Sequence, residues 1–478
     1  VMDFEAVIGL EIHVQLSCAT KLFCDCPNSP GDAPNINTCP ICLWLPGAIP
    51  RLSEEAVEKA AMVCLALNCR IQNESAFDQK VYYYPDLPKG YQLSQHHRPL
   101  GKNGWLEAAG ADGNSRRLRI HHVHMEEDVA KLVHEIEGRT PISLVDFNRA
   151  GTPLVEIVTE PDMRSSQDAM GFLRALRAQI RYTGSSDCSM EQGSMRVDAN
   201  ISIREKGSDQ LNTKVEVKNM NSIRNVCDAI DYEIHRQIAC VQSGEPIVLH
   251  TRLWDPDKHV TTAMRGKFAG PCIPDPAVPH IRITETRLQR LKEKLPEMPD
   301  QKARRFVRDY ALPQETAALM SAERDLSEYF EAVVRLGPSS KTAAYWISAH
   351  LLPALKDHGQ SPADARVTPE RLAGLLVMLE NDEINAGSAK SVLSQMFEND
   401  RTPERIVEQS GFRQVSDADA LQDIVLSVIE QNPSAVENYR NGKTQAVGFL
   451  MGQVMRATQG KANPKRVQEI LQKALAAS

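Results

Sequence analysis

The sequence lacks the segments that place a protein in or across a membrane. No run of apolar residues in the 478-residue chain approaches the roughly 20 residues that span a bilayer. The N-terminal VMDFEAVIGL has no basic region followed by an apolar core, as a secretory signal would have. Apolar residues make up 42% of the chain and charged residues 24%, a composition typical of globular proteins. The sequence therefore predicts a cytoplasmic protein with no membrane partner.

The common nucleotide-binding and hydrolytic motifs are also missing. The chain contains neither the P-loop pattern G-x-x-x-x-G-K-[ST] nor the dinucleotide-binding pattern G-x-G-x-x-G. It also lacks H-E-x-x-H, G-x-S-x-G and the Ser/Gly-rich segment that carries the nucleophile of amidases. If the protein binds a nucleotide, it does so without the common glycine-rich cradle.

A chain of 478 residues is too long to fold around one ordinary hydrophobic core, so more than one domain is expected. The sequence pattern also differs between three segments of the chain. Up to about residue 285, alternating segments are separated by many turns and contain most of the glycines and prolines. Beyond it, leucines recur at helical spacing: Leu372, Leu375, Leu376 and Leu379. The segment ENDRTPERI at 398–406 has the composition of a domain boundary. The sequence predicts an α+β domain over 1–290, a helical domain over 291–400 and a helical tail over 401–478.

In several predicted strands, charged side chains lie at every second position and therefore on one face of the strand. In IGLEIHVQL (8–16), apolar residues alternate with a set that includes Glu11 and His13. Glu156 lies in PLVEIVTEPD and Asp198 lies in MRVDANISIR. The segment HHVHMEEDVAK adds further polar residues: His122, His124, Glu126, Glu127 and Asp128. Such a face suits Mg²⁺, which prefers oxygen ligands and is often completed by substrate phosphates. The alternative is an ordinary solvated sheet face with cross-strand ion pairs.

Four of the eleven cysteines form a cluster, Cys24-x-Cys26 followed after twelve residues by Cys39-x-x-Cys42. Two close pairs separated by a loop rich in Pro, Gly and Asn are typical of tetrahedral zinc sites. Because all four ligands would be protein groups, the predicted zinc site is closed and structural. The alternative is four incidental buried thiols. The other seven cysteines are scattered, which predicts reduced thiols and not a disulfide framework.

The end of the chain is basic although the protein as a whole is acidic. Residues 438–478 contain seven Lys or Arg and one acid, a net charge of +6, whereas the whole chain carries −7. The basic residues are Arg440, Lys443, Arg456, Lys461, Lys465, Arg466 and Lys473. A basic segment on an acidic protein predicts binding of a polyanion. The alternative is a solvated helical face.

Seven long motifs occur in a characteristic order. They are IGLEIHVQL, CPICLWLPG, YYYPDLPKGYQLSQ, NRAGTPLVEIVTEPD, MRVDANISIR, VEVKNMNS and GKTQAVGFLMGQVMRATQGKANP. Together they closely resemble the B subunits of aspartyl/glutamyl-tRNA amidotransferases, and the resemblance covers almost the whole chain. Motifs of this length are far more specific than any short pattern.

This resemblance implies a function, a set of partners and a fold. Such subunits use ATP and Mg²⁺ to phosphorylate the side-chain carboxylate of glutamate or aspartate misattached to tRNA(Gln) or tRNA(Asn). Ammonia then displaces phosphate. It arrives from a glutaminase partner, the A subunit, and a small C subunit completes the heterotrimer. The implied fold is a cradle-shaped α+β domain with a mixed, mostly antiparallel sheet, then a helical domain and a small helical tail that meets the tRNA.

The resemblance also implies roles for individual residues. The family's metal ligands match five positions that would carry the catalysis: Glu11, His13, Glu127, Glu156 and Asp198. Glu126 is a close second to Glu127 for the same role. Arg149, Lys218 and Asn219 lie in matching motifs and are expected to hold the phosphates of ATP. Because the substrate carboxylate and ATP are both anionic, bound metal is expected to neutralise charge during transfer.

One segment departs from the family pattern and keeps other hypotheses open. After TRLWDPDKHVTTAMR the family carries a longer acidic and aromatic stretch, whereas this chain reads GKFAGPCIPDPAVPHI. The alternatives are a divergent paralogue acting on another aminoacyl-tRNA, a non-catalytic RNA-binding scaffold and a stand-alone metal hydrolase. The clustered carboxylates argue against a scaffold. The closed cysteine site and the missing nucleophile argue against a hydrolase.

Overall fold

The computed structural model describes residues 4–137, 140–264, 270–413, 418–440, 445–458, 462 and 464–477. The chain forms two compact units, Val1–Met298 and Pro299–Ser478. The first is built around a large mixed sheet, and the second is helical. This confirms the predicted α+β fold class.

The strands and helices of the first unit follow one another irregularly along the chain. The strands are β1 (Phe4–Gln15), β2 (Arg70–Ile71), β3 (Glu74–Val81), β4 (Tyr91–Arg98), β5 (Gly101–Ala109), β6 (Ser115–Glu127), β7 (Lys131–Glu137), β8 (Thr140–Asp146), β9 (Pro153–Thr159), β10 (Met195–Glu205), β11 (Val215–Met220), β12 (Thr251–Asp255), β13 (Val260–Ala263), β14 (Cys272–Pro274) and β15 (Ile281–Arg282). The helices are α1 (Glu54–Ala66), α2 (Ser166–Tyr182), α3 (Ile223–Ser243) and α4 (Glu285–Lys294).

The long strand β1 lies at the centre of the sheet. The main strand order is β13-β12-β11-β10-β1-β9-β6-β4-β3-β14, and β7 pairs with β8 in a separate ribbon. Strand β1 is antiparallel to both of its neighbours, β10 and β9. The apolar residues at alternate positions of β1 are almost completely buried. They are Ile8, Leu10, Ile12 and Val14. These side chains join apolar residues of α1, α2 and α3 in one core, which leaves the polar parity of the central strands outside that core.

Helix α4 belongs to the first unit, which extends to Met298. Its Leu291 is buried in the core of the unit. Arg287 of α4 also pairs with Glu54 of α1 at 2.6 Å. The apolar contact holds this helix against the sheet unit, although its charged sequence resembles that of the helices that follow.

The second unit consists of twelve described α-helices with one short π-helix and one 3-10 turn among them. They are α5 (Pro299–Tyr310), α6 (Gln314–Ser321), α7 (Arg324–Arg335), α8 (Ser340–Trp346), the π-helix (Ile347–Leu351), α9 (Leu352–Asp357), the 3-10 turn (Pro362–Asp364), α10 (Pro369–Glu380), α11 (Ala386–Glu398), α12 (Pro403–Ser410), α13 (Ala418–Gln431), α14 (Pro433–Arg440), α15 (Gln445–Ala457) and α16 (Pro464–Ala477). None of the helices in the described ranges combines the length and apolar character needed to cross a bilayer.

This unit has two separate hydrophobic cores. The first contains the predicted leucine stripe of α10 and continues to Ile406 and Val407 of α12, beyond the predicted boundary at residue 400. Pro403 stands at the start of α12, where its missing N–H is tolerated, so it begins a helix instead of ending the domain. The second core runs from Leu421 to Leu475 and is formed by α13–α16.

Candidate active site and metal centres

The register of the central strands aligns charged residues of four strands on one sheet face. Arg196 of β10 lies opposite His13 of β1, and His13 lies opposite Glu156 of β9. Glu156 in turn lies opposite His124 of β6. Asp198 lies opposite Glu11 in the neighbouring row. Because directly opposite residues share one face of a sheet, the polar parities of these strands converge.

His13 lies at the middle of this acid–histidine cluster, which we define as Glu11, His13, His124, Glu126, Glu156 and Asp198. Its Nε2 atom is 3.3 Å from Glu126 Oε1, 3.4 Å from Glu156 Oε2 and 3.9 Å from Glu11 Oε1. His124 Nε2 is 3.2 Å from Glu156 Oε2. Glu126, Glu156 and His124 are buried, whereas Glu11 and His13 are half-buried and line the open side.

Burial and close charges determine the protonation of the cluster. Burial raises the pKa of the Glu126 carboxyl, but the imidazoles of His124 and His13 outweigh it and lower the pKa to about 2. For His124, burial acts in the opposite direction and lowers the pKa of the imidazole. The carboxylates of Glu156 and Glu126 outweigh it and raise this pKa to about 9. Burial and the charge of Glu156 raise the pKa of Glu11 to about 7. Without a cation, protonated imidazoles therefore balance the charge of the inner carboxylates.

The donor set of the cluster fits a divalent cation. Ligand atoms of Glu11, His13 and Asp198 lie within 4.8 Å of one another, and so do those of His13, Glu126 and Glu156. Glu126 Oε2 is buried and accepts no hydrogen bond among the described residues, and the Nε2 atom of His124 lies 3.8 Å from it. A buried carboxylate oxygen without a hydrogen bond is costly, and a hard cation would satisfy it.

Glu127 does not lie in this cluster. Its Oε1 atom is 2.5 Å from Lys89 Nζ and accepts a hydrogen bond of 2.9 Å from the backbone N–H of Leu93. Successive residues of a strand point to opposite faces, so Glu126 and Glu127 cannot both face His13. The structure thus brings Glu126, and not Glu127, to the other predicted metal ligands.

The three predicted phosphate-binding residues have different surroundings. Lys218 Nζ is 2.5 Å from Asp198 Oδ2 and lies at the edge of the cluster. Asn219 has a left-handed backbone with φ of 71°, and its side-chain amide donates to the carbonyl of Trp254. Arg149 donates to two backbone carbonyls of the turn after β6, at 3.0 Å each. Lys218 therefore lies beside the cluster, whereas Arg149 holds the local backbone.

Three residues at or beside the site were given no individual role from the sequence, although His124 was placed on the polar face expected to bind Mg²⁺. His124 completes the inner side of the cluster, and Arg196 donates to Asp128 Oδ1 at 3.0 Å beside it. Lys89 pairs with Glu127. In MRVDANISIR, Arg196 and Asp198 are two residues apart, so their side chains lie on the same face of the strand. The alternation in the sequence therefore already indicated that Arg196 lies near the site.

The four clustered cysteines form a possible metal site. Their Sγ atoms lie within 4.8 Å of one another, which suits a tetrahedral ion with bonds of about 2.3 Å to sulfur. The Cys24 hydrogen bond, the Cys39 backbone N–H and Lys21 lower the pKa of Cys42 to about 5 against the effect of burial. Burial raises the pKa of Cys26 to about 11. The lowered pKa of Cys42 favours its thiolate, which is the form of cysteine that binds metal.

The basic tail is described only in part. Lys443 and Lys461 lie outside the described residues, as do residues 265–269 of the segment that departs from the family pattern. Arg456 of α15 and Lys473 of α16 are exposed.

Two protein-family models match this chain and identify the class of protein to which its fold belongs. A family model described as the GatB/GatE catalytic domain matches residues 6–289, and a model described as the GatB domain matches residues 328–475. The sheet unit with its acid–histidine cluster is thus an amidotransferase catalytic domain of the GatB/GatE class.

Relatives of full length define the family more closely. A protein of Syntrophus aciditrophicus, named as a B subunit of aspartyl/glutamyl-tRNA(Asn/Gln) amidotransferase, is 60% identical over 474 residues, which cover 99% of each chain. Proteins named as B subunits of the same enzyme in Carboxydothermus hydrogenoformans and Moorella thermoacetica are 44% and 45% identical, again over 99% of this chain and at least 99% of their own. The chain belongs to the family of aspartyl/glutamyl-tRNA(Asn/Gln) amidotransferase B subunits, as the motifs predicted, and is part of a ligase-type enzyme. These comparisons give no support to the scaffold, paralogue or hydrolase hypotheses.

Proposed function

We propose that this chain converts glutamate or aspartate misattached to tRNA(Gln) or tRNA(Asn) into the corresponding amide, using ATP and ammonia. In the first step, an oxygen of the substrate side-chain carboxylate attacks the γ-phosphorus of ATP, which gives an acyl phosphate and ADP. In the second step, the nitrogen of ammonia attacks the acyl carbon, the carbon–oxygen bond to phosphate breaks, and the nitrogen loses a proton. The match of the chain to this family over its full length supports the reaction.

The observation that carries the proposal is the convergence of carboxylates on His13 at an accessible sheet face. The residues assigned to hold Mg²⁺ are Glu11, His13, Glu126, Glu156 and Asp198. When bound there, Mg²⁺ would neutralise charge on the phosphates of ATP during transfer. His124 holds the Glu156 carboxylate at 3.2 Å and so fixes its direction toward His13.

Cationic side chains beside the cluster suit the phosphate groups of ATP. Lys218 and Arg196 have about a third of their side chains exposed (33% and 40%), so each has donors that can reach a ligand. Asn219 follows Lys218 within β11 and has a left-handed backbone, at the point where the pairing of β11 with β10 shifts register. Arg149 supports the turn after β6 through its bonds to Val129 and Ala130, so its role is to position the end of that strand.

Other components complete the proposed enzyme. Because the chain lacks an amidase nucleophile segment, ammonia is taken to come from a glutaminase A subunit, with a C subunit as the third member of a heterotrimer. The helices α5–α12, which share the first helical core, and the tail formed by α13–α16 are assigned as separate domains, and the basic tail as the tRNA-binding one. The four cysteines would hold a structural zinc ion. A reaction on aminoacyl-tRNA supports a cytoplasmic location.

The decisive experiment follows ATP-dependent amidation of Glu-tRNA(Gln) and Asp-tRNA(Asn) by the purified subunits. We expect amide to form with glutamine as nitrogen donor in the complete complex, and with ammonium when the nucleophile of the glutaminase is disabled. Glu126→Gln should abolish both reactions. Glu11→Gln should abolish both reactions as well, and Glu5→Gln is its matched control, because Glu5 also lies on β1 with its side chain on the same face as Glu11, is equally exposed at 27% and pairs with Arg204. Normal ammonium-dependent amidation by Glu126→Gln would contradict the assignment of the site.

A further inference from the structure

A buried ion pair lies between the four-cysteine loop and the end of β6. The side chains of Lys89 and Glu127 are 6% and 5% exposed, and their charged atoms are 2.5 Å apart. A buried ion pair contributes little net stability, because desolvation offsets the attraction between the charges. It does hold two chain segments in one geometry, since either charge left alone would be unfavourable.

One side of this pair contacts the four-cysteine loop. Lys89 Nζ lies 5.6 Å from the centre of the Trp44 ring and 5.8 Å from that of Tyr91, within the range of cation–π attraction. The two rings pack edge to face at 5.8 Å. Trp44 follows Cys42 by two residues and has a left-handed backbone with φ of 55°. A bulky residue keeps this conformation only where its surroundings enforce it.

The turn that carries Trp44 is formed by the cysteine pair itself. The backbone N–H of Trp44 donates to the carbonyl of Ile41, and the N–H of Leu43 donates to the carbonyl of Cys39. Cys42 Sγ accepts from the Cys39 N–H at 3.2 Å. A metal ion held by these thiols would fix the turn and therefore the position of the Trp44 ring.

The other side of the ion pair determines the end of β6. The Glu127 carboxylate accepts from the Leu93 N–H of the neighbouring strand, and the Glu127 carbonyl accepts from Gln92 Nε2 at 2.8 Å. These bonds fix the rotation of the strand at Glu127. Because the preceding residue, Glu126, points to the opposite face, they also fix the direction of its carboxylate toward His13.

We propose that Trp44, Lys89 and Glu127 are positioning residues that couple the four-cysteine site to the acid–histidine cluster. Metal bound by the cysteines holds Trp44 on Lys89, Lys89 holds Glu127, and Glu127 orients Glu126 for cation binding. The proposal rests on the proposed function in one respect, which is that the cluster binds a divalent cation through Glu126. Groups that orient a ligand without touching the metal commonly change metal affinity by about 10- to 100-fold.

The test measures Mn²⁺ binding to the full chain by electron paramagnetic resonance, with the metal content of the cysteine site determined by elemental analysis. Trp44→Leu and the double variant Lys89→Met/Glu127→Gln should each bind Mn²⁺ about 10-fold more weakly. The double variant removes both charges together, so it leaves no unpaired charge that would unfold the protein. Leu45→Ala, at a neighbouring side chain that is half exposed, is the control and should bind Mn²⁺ normally.

A double-mutant cycle separates coupling from general damage. Cys39→Ser, which removes a cysteine ligand, should weaken Mn²⁺ binding in the wild-type background and have no further effect in the Lys89→Met/Glu127→Gln background. Additive effects, or unchanged Mn²⁺ affinity in both the Trp44 and the double variant, would overturn the coupling alone. If the wild-type chain bound no Mn²⁺ in a manner that depends on Glu126, the proposed function would fail as well.

Discussion

Glu126 and Glu127 are neighbours on β6, but their carboxylates have different partners on opposite faces of the strand. Glu126 Oε1 lies 3.3 Å from His13 Nε2, whereas Glu127 Oε1 lies 2.5 Å from Lys89 Nζ. Two consecutive acids in the motif HMEED thus have separate roles. One belongs to the candidate cation site, and the other belongs to the connection between that site and the four-cysteine loop.

Neutral variants of these two acids should therefore have different effects. Glu126→Gln should fold normally but lose amidation and Mg²⁺ binding, because the amide removes a charge from the ligand set. Glu127→Gln should lower the free energy of unfolding by about 3 kcal/mol, because it leaves Lys89 buried without its counter-charge. Thermal denaturation and Mg²⁺ titration of the two variants test this pair of predictions. Equal loss of stability in both would contradict the separation of roles.

The assignment of Glu127 followed the family resemblance, and a bulge in β6 limits what strand alternation could have added to it. The pairing of β6 with β9 shifts register between Ile120 and His122. Before the bulge, even-numbered residues such as Ile120 are buried in the core, and after it odd-numbered residues such as Val123 are buried there. Counting alternation from the start of the strand therefore assigns the wrong face at its end. At the end of the strand, the apolar Val123 and Met125 face the core, so the even-numbered Glu126 faces the opposite side. This local alternation favours Glu126 over Glu127 as the residue beside His13.

Other parts of the site could be predicted because they depend on local pattern alone. The alternation around His13 predicted β1 and its polar face, and the cysteine spacing predicted four thiols that do lie within 4.8 Å of one another. The convergence of Glu156 on His13 depends on the pairing of β1 with β9, which is far away in the sequence. Periodicity within one strand contains no information about its neighbours, so the cluster itself required the structure or the family resemblance.

Lys218 provides a test of phosphate binding beside the cluster. Lys218→Met should raise the KM for ATP about 10-fold, equivalent to about 1.4 kcal/mol, because the variant has one cation fewer to bind phosphate. Lys214→Met is the control, since Lys214 is exposed and precedes β11. Steady-state kinetics at varied ATP and saturating aminoacyl-tRNA make the measurement. An unchanged KM for ATP would show that Lys218 serves only to pair with Asp198.

The four-cysteine site should contribute to the stability of the first unit. Cys39→Ser should remove bound zinc and lower the melting temperature, because the binding energy of a structural metal is part of the folding energy. Cys272→Ser, at a half-buried thiol outside the cluster, should change neither quantity. Elemental analysis and thermal denaturation of freshly purified protein are the measurements. Wild-type protein without zinc would refute the assignment of the metal.

The basic tail can be tested without truncation, which at residue 400 would cut into the first helical core at Ile406 and Val407. Reversing two exposed charges, Arg456→Glu and Lys473→Glu, leaves both cores intact. If each side chain neutralises one phosphate, tRNA binding should weaken. The slope of log affinity against log salt should also fall by about 1 for each phosphate that is no longer neutralised, because fewer counterions are released. Arg224→Glu, at a side chain that is 88% exposed on α3, is the matched control and should leave the slope unchanged. Equal slopes for the wild type and the double variant would mean that these two cations do not bind tRNA, and the charge of the tail would then be better explained by binding to another protein of the complex.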